Sequence, residues 1–413
     1  MRLRPRARRR DARCVPRVEE HSRLDEPEAV EPVRALNTTS DAALARIVER
    51  LDRIYAIGGG PGANRRGLSD AEQEAHDLVA GWMRAAALEI EPDPWGNLFG
   101  RLPGEDPEAP ELWVGSHLDS VPEGGRFDGP LGVLGALEAV ERVAAGGTPR
   151  RTLAVVAWRD EEGGAFLRGY FGSRARFGCL DEEEAKEAAA RGLGPYEPKP
   201  LPGGYLELHI EQGPVLERAG IPLGIVTSIA GQARGIVVFD GEARHAGTTP
   251  MDARDDALCR AAELVLHARD SASAIPSAVA TVGRLEVEPG ASNVVPGRVT
   301  LSVDARAPDQ ERLDALLERL GLELAVTAPS AMDPRLMDVL REEIERRGLP
   351  TFELPSGAGH DAGIVAAAGA PAGMLFVRSA RGISHHPEEE TSTEDVALAV
   401  DVLSAAVGRL AAG

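Results

Sequence analysis

Apolar residues along this chain follow two spacings, and the switches between them mark out the elements. Leu, Ile, Val and Ala recur at helical spacing over 41–56 and 70–88. Continuous apolar runs follow: LWVGSH at 112–117, TLAVVAW at 152–158 and YLELHI at 205–210 read as buried strands, with a helix over 131–145. Unbroken apolar strands separated by helices predict an α/β fold, with a mixed, mostly parallel sheet covered by helices on both faces. Near residue 219 the pattern changes. Strands at 223–229, 234–240, 278–287 and 298–304, with helices at 255–269 and 310–319, predict a smaller α+β unit with an antiparallel sheet. Around 330 the first pattern returns as a helix at 334–347, the strand GMLFV at 373–377 and a terminal helix at 393–411, for which Thr391 and Glu394 form a candidate capping box. The order predicts one domain at 39–218 and 330–413, interrupted by an inserted domain at 219–329. Residues 1–38 are charged, Pro-containing and aperiodic, which predicts a disordered extension.

Composition narrows the function classes. The net charge is −20, and because residues 1–17 hold eight Arg and one Asp, the rest of the chain is near −27. An acidic body lacks the basic footprint of nucleic-acid binding. No run of 18 apolar residues predicts a membrane span, and the Arg-rich start lacks the apolar core of a secretory signal. Cys14, Cys179 and Cys259 are too few and too far apart for a disulfide framework or a Cys-based zinc site, so a reducing cytoplasm is expected.

The chemistry lies in five short segments: GSHLDS with His117 and Asp119, GGRFDG with Asp128, RDEEGG with Glu161 and Glu162, LELHIEQG with His209, and GISHHPEE with His385. Each brings a His or a carboxylate, the groups that bind Zn²⁺, Mn²⁺ or Co²⁺. They fall at the carboxyl ends of predicted strands or in the loops just beyond, where open α/β sheets place their sites. A lone His-x-Asp or Glu-Glu pair would be ordinary surface, but five such features at turn-like strand ends are not. Two divalent ions roughly 3.5–4 Å apart share a bridging carboxylate and need five or six ligands. His117, Asp128, Glu162, His209 and His385 supply five. Asp119, two residues after His117, is placed to orient its imidazole, and Glu161 beside Glu162 is placed to act as a general base without binding metal.

These segments, with HAGTTPMDAR, SNVVPG, VDAR and SGAGHDA, run in an order that resembles the amidase, hydantoinase and carbamoylase subgroup of the M20 metallopeptidases over roughly residues 40–413. Its members include N-carbamoyl-L-amino acid hydrolases, allantoate amidohydrolases and β-ureidopropionases. The resemblance implies two metal ions. One is held by His117, Asp128 and His209, the other by Asp128, Glu162 and His385, with Glu161 as the base. It further implies that the inserted domain is a lid and dimerisation domain of a homodimer. His245 there would stabilise the oxyanion, often in the partner's site. Asn293 and Arg306 would bind the substrate carboxylate, Gln212 would contact the ureido group, and His360 would join the substrate site. A His at 209 resembles the carbamoyl-amide hydrolases rather than the exopeptidases. The implied reaction converts an N-carbamoyl-L-amino acid to the L-amino acid, CO₂ and ammonia. Two departures stand out: Ala165 occupies a position where the family often has Arg, and the stretch from Arg306 to Pro334 is short. A catalytically silent scaffold on the same fold would be expected to have lost a ligand or the base, and all are present.

Overall fold

The computed structural model describes Thr39–Ala412 apart from Leu167, so the extension expected at 1–38 lies outside the described residues. A nine-stranded mixed sheet organises the larger part of the chain. Its centre is parallel: Leu153–Trp158, Leu112–His117, Gly204–Ile210 and Ala372–Val377 run side by side in that order. Leu98–Leu102 and Glu89–Pro92 continue it antiparallel on one side, and Leu223–Ile229 is antiparallel to Ala372–Val377 on the other.

Alternation along these strands divides the core into two layers. Val114, Val155, Leu208 and Leu375 face the helices Pro130–Gly146 and Thr393–Ala412, meeting Leu134, Leu137, Val400 and Leu403. Trp113, Trp158, Tyr205 and Phe376 face the opposite way, toward Ala362 and Val365 of the helix Asp361–Ala367. With both faces covered, the central strands are buried along their whole length, which is why their sequences are apolar without a break.

The second sheet is five-stranded and antiparallel, in the order Leu285–Glu288, Arg298–Ala307, Gly231–Asp240, Ala325–Thr327, with Val279–Thr281 also paired to Arg298–Ala307. Its helices Ala257–Ser273 and Gln310–Leu320 pack on one face through residues such as Leu264, Val299, Leu301, Leu313 and Leu316. No helix among the described residues is long and apolar enough to cross a membrane.

Three expectations need correction. The strand Leu223–Ile229 belongs to the large sheet rather than the inserted unit, since it pairs with Ala372–Val377 and Glu353–Ser356. The break read near 219 is the helix stop at Gly220, in left-handed conformation, and not a domain boundary. The chain leaves the large sheet only after Ile229 and re-enters it at Ser330. The strand expected at 278–287 is two strands, separated where Arg284 binds the Ser302 hydroxyl through its backbone N–H. The terminal helix is capped by Ser392, whose hydroxyl accepts from the Asp395 N–H at 3.1 Å, while the Thr391 hydroxyl is buried without a partner. The helix starts at Thr393, one residue later than the proposed box requires.

Candidate metal centre

Four neighbouring parallel strands end at one edge of the large sheet, and the five candidate ligands gather there. His117 ends its strand, His209 is the penultimate residue of its own, and the Glu161–Glu162 turn follows Leu153–Trp158. Asp128 lies between them and presents its two oxygens to different neighbours. Its Oδ1 is 3.5 Å from His117 Nε2 and 3.1 Å from His209 Nε2. Its Oδ2 is 3.3 Å from His385 Nε2, which in turn is 3.4 Å from Glu162 Oε1. The ligand atoms of His117, Asp128 and His209 lie within 4.8 Å of one another, as do those of Asp128, Glu162 and His385.

The tautomer of His209 tests whether this set suits a cation. Its Nδ1 lies 2.9 Å from the Ile210 carbonyl, which can only accept, so Nδ1 carries the proton. The buried Nε2 makes no hydrogen bond, yet it faces a carboxylate oxygen. In the neutral ring, two lone pairs oppose each other there, and only a cation or a second proton reconciles them. The residues therefore fit a divalent ion.

Local structure explains how the ligands are held. Gly129 has φ +83°, and a Cβ there would lie 2.6 Å from the His117 ring, so only glycine lets the Asp128 turn close over His117. Glu389 accepts from the backbone N–H groups of Phe127 and Asp128 at 2.8 and 3.1 Å, and Ser384 Oγ lies 3.0 Å from both Glu389 Oε2 and Asp128 Oδ2, with one hydroxyl proton to share between the two carboxylates. This ties the loop bearing His385 to the turn bearing Asp128. Asp119 sits 3.3 Å from His117 Nδ1 but not in hydrogen-bond alignment. Its charge still acts on that imidazole, and its oxygens also accept the N–H groups of Glu161 and Glu162, at 3.0 and 3.1 Å. Behind that turn, the fully buried Glu72 accepts from the Asp160 N–H at 3.0 Å and from Arg159 at 2.9 Å. Asp160, Gln212 and His385 all have positive φ although none is glycine, a backbone cost that clusters at this centre.

Charge at the centre is tightly coupled. Burial raises Glu161 well above the ordinary carboxylate range, and Glu162, Asp361 and Asp119 add to the rise against the opposing effect of His117. Burial and Asp128 push Glu162 up to about 7. The hydrogen bond to Asp128 takes His385 up to about 9 despite partial burial. Burial opposes protonation of His117 and His209, but the surrounding carboxylates outweigh it and raise both. Without a cation His385 holds its proton at neutral pH, and a cation must displace it. Cation affinity is therefore expected to rise with pH toward about 9, by as much as tenfold per pH unit for each proton displaced. Titration calorimetry with Mn²⁺ in buffers of different ionisation enthalpy measures the count. Proton release near zero at pH 7 would contradict it.

The remaining candidates divide. Gln212 joins the centre: its Nε2 is 2.9 Å from Asp128 Oδ2 and 3.4 Å from His385 Nε2. His360 is buried behind His209, ring centroids 4.5 Å apart, with Nε2 3.0 Å from Ser356 Oγ. It also lines a cavity of about 630 Å³ with Tyr170, Gln232 and Arg234. Arg306 reaches the same loop by donating to the Gly357 carbonyl at 2.8 Å, while Asp304 takes its Nε and Nη2 at 2.8 and 3.0 Å. His245 and Asn293 lie together, in and beside the small ladder pairing His245 with Val294. Both are exposed, and neither bonds to a cluster residue. The sequence reading missed Glu72, Ser384, Glu389 and Asp304. Glu389 follows the SHHP ligand segment, but Glu72 lies 88 residues before Asp160 and carries no local signal.

Known proteins match this chain along most of its length. The model of peptidase family M20/M25/M40 covers residues 113–409. An N-carbamoyl-L-amino acid amidohydrolase of Geobacillus stearothermophilus is 40% identical over 404 residues, 89% of this chain and 98% of the relative. An allantoate amidohydrolase of Bacillus subtilis (strain 168) is 34% identical over 391 residues, 86% of this chain and 95% of the relative. The crystal structure of a hydantoinase/carbamoylase family amidase from Burkholderia multivorans superposes with a TM-score of 0.82 at 34% identity, covering 90% of this chain and 98% of that one. This chain belongs to peptidase family M20/M25/M40.

Proposed function

We propose that this chain is a two-metal amidohydrolase that converts an N-carbamoyl-L-amino acid and one water to the L-amino acid, CO₂ and ammonia. The observation that carries the reading is the position of Asp128, whose two oxygens serve two separate groups of ligands. His117 and His209 complete one group, Glu162 and His385 the other. Zn²⁺, Mn²⁺ or Co²⁺ suits this donor set. When bound, such a pair polarises the scissile carbonyl and activates a water. Glu161 would take the proton and deliver it to the leaving nitrogen, a role supported by its raised affinity for protons and by its anchored turn. Asp119 would keep Glu161 and Glu162 in register, since one oxygen holds each N–H. Gln212 would contact the ureido group, and His360 would form the wall behind it.

Arg306 and Asn293 would receive the substrate carboxylate, and His245 the oxyanion. Because His245 and Asn293 lie outside the centre within one chain, the reading calls for a homodimer in which a second copy supplies His245. The apolar residues Ile236, Val238, Val279 and Leu285, exposed on the smaller sheet, support such pairing. Arg306→Lys loses the bidentate fork and is expected to raise KM roughly tenfold to a hundredfold, the worth of a charge-assisted hydrogen bond. A substrate analogue without the carboxylate should be poor for both enzymes and indifferent to the change. Equal losses on both substrates would assign Arg306 a structural role.

The similarity to an allantoate amidohydrolase favours a second reading, since allantoate also carries a ureido group and a carboxylate. Ammonia release from N-carbamoyl-L-amino acids, N-carbamoyl-β-alanine and allantoate, assayed with each of the three metals, tests the proposal. Preference for an N-carbamoyl-L-amino acid supports it, and preference for allantoate replaces it.

A further inference from the structure

A second cavity lies away from the metal centre and contains none of its residues. It has a volume of about 400 Å³, and its walls are mainly apolar, formed by Pro110, Trp113, Leu201 and Pro202. Arg176 and Lys199 also line it, and Lys199 is one of only two lysines in the chain.

Arg176 is the feature that needs explanation. It is the last residue of the helix Phe171–Arg176 and is 7% exposed. Its guanidinium lies over Trp113 and Phe177, 5.1 and 5.7 Å from the ring centroids. It makes no hydrogen bond or ion pair with any described residue. The other buried arginines among the described residues are all partnered: Arg50 with Glu141, Arg65 with the Leu118 and Ile54 carbonyls, Arg159 with Glu72, and Arg174 with Glu184. Nearby carboxylates are already committed. Asp93 accepts from the Trp95 and Asn97 N–H groups and from the Asn97 amide. Glu111 accepts from Arg101 Nε at 2.9 Å and from Trp113 Nε1 at 2.6 Å. Asp93 and Glu111 attract this cation without bonding to it, and that attraction and the aromatic stacking offset only part of the cost of burying it.

A planar fork of unclaimed donors beside apolar walls suits one ligand chemistry. We propose that this cavity is a binding site for a small organic monocarboxylate with an apolar body, its carboxylate on Arg176 and its body against Trp113 and Leu201. A dianion is disfavoured, because Glu108 and Glu111 share the wall and the second guanidinium there, that of Arg101, is already held by Glu111 and Glu91. Lys199 reinforces the attraction from the rim; its ammonium is 3.8 Å from Glu91, an exposed and easily exchanged partner.

Calorimetric titration of the metal-loaded protein tests the proposal, with 3-phenylpropionate as the probe and 3-phenylpropanol and inorganic sulfate as comparisons. The acid is expected to bind in the millimolar range, at least about tenfold more tightly than the alcohol or sulfate. Arg176→Met should weaken the acid at least about tenfold, and Arg176→Lys, which keeps charge without the fork, by an intermediate amount. Hydrolytic turnover should be unchanged in both variants, so weak carboxylate binding at the metal centre is separated from binding here. Equal affinity in wild type and Arg176→Lys or Arg176→Met, no binding of the acid by about 10 mM, or tighter binding of sulfate would each overturn the proposal.

Discussion

Asp128→Ala is expected to bring turnover below detection and to lower bound metal from about two ions per chain to less than one. The reason is geometric. Asp128 Oδ1 faces His117 and His209, and Oδ2 faces His385, so one substitution takes a ligand from both groups. It also leaves three imidazoles in close proximity without the carboxylate that compensates them. Those imidazoles should lose protons more readily in the variant, since Asp128 holds all three in the native arrangement. Asp128→Asn separates charge from shape: the amide preserves size and can accept from Ser384 and Gln212 through one atom only. Metal content by elemental analysis, with the melting temperature as a check on folding, reads both variants. Full metal occupancy with normal turnover in a folded Asp128→Ala protein would remove the bridging role.

Glu161→Gln is expected to lower turnover by roughly 10²–10⁴-fold, the usual worth of a general base, while metal content stays near wild type. The variant retains the backbone N–H that binds Asp119 and the carbonyl that accepts from Tyr170 at 2.7 Å, so the turn should keep its form. The contrast with Glu162→Gln carries the assignment. Glu162 lies against His385 in the second ligand group, whereas Glu161 is 4.0 Å from His117 Nε2 and belongs to neither group. Glu162→Gln should therefore lose metal as well as turnover. Equal metal loss in the two variants would mean that the roles are exchanged.

The sequence made the parallel core legible because both faces of its strands are covered, leaving unbroken apolar runs at 112–117 and 205–210. It made the ligands legible because each sits at a strand end or in the loop that follows, in a segment with glycines close by. What it could not show depends on contacts between distant segments. Glu72 sits on a helix whose sequence is otherwise an ordinary amphipathic stretch, and its burial beneath Asp160 arises only when that helix packs against the turn. Asp119 was expected to orient His117 and lies 3.3 Å from its Nδ1, but its oxygens also hold the Glu161 and Glu162 N–H groups, contacts made by a loop 42 residues later. Leu223–Ile229 was assigned to the wrong sheet because strand periodicity reports burial and not pairing partner.

We propose hydrolysis of a ureido amide at a centre of two metal ions. The most direct measurement is ammonia release from an N-carbamoyl-L-amino acid by chelator-stripped protein titrated with Mn²⁺. No release is expected before metal is added, followed by a rise that saturates at about two equivalents per chain. Ammonia release by the stripped protein at the rate of the loaded one, or none at any level of metal, would contradict it.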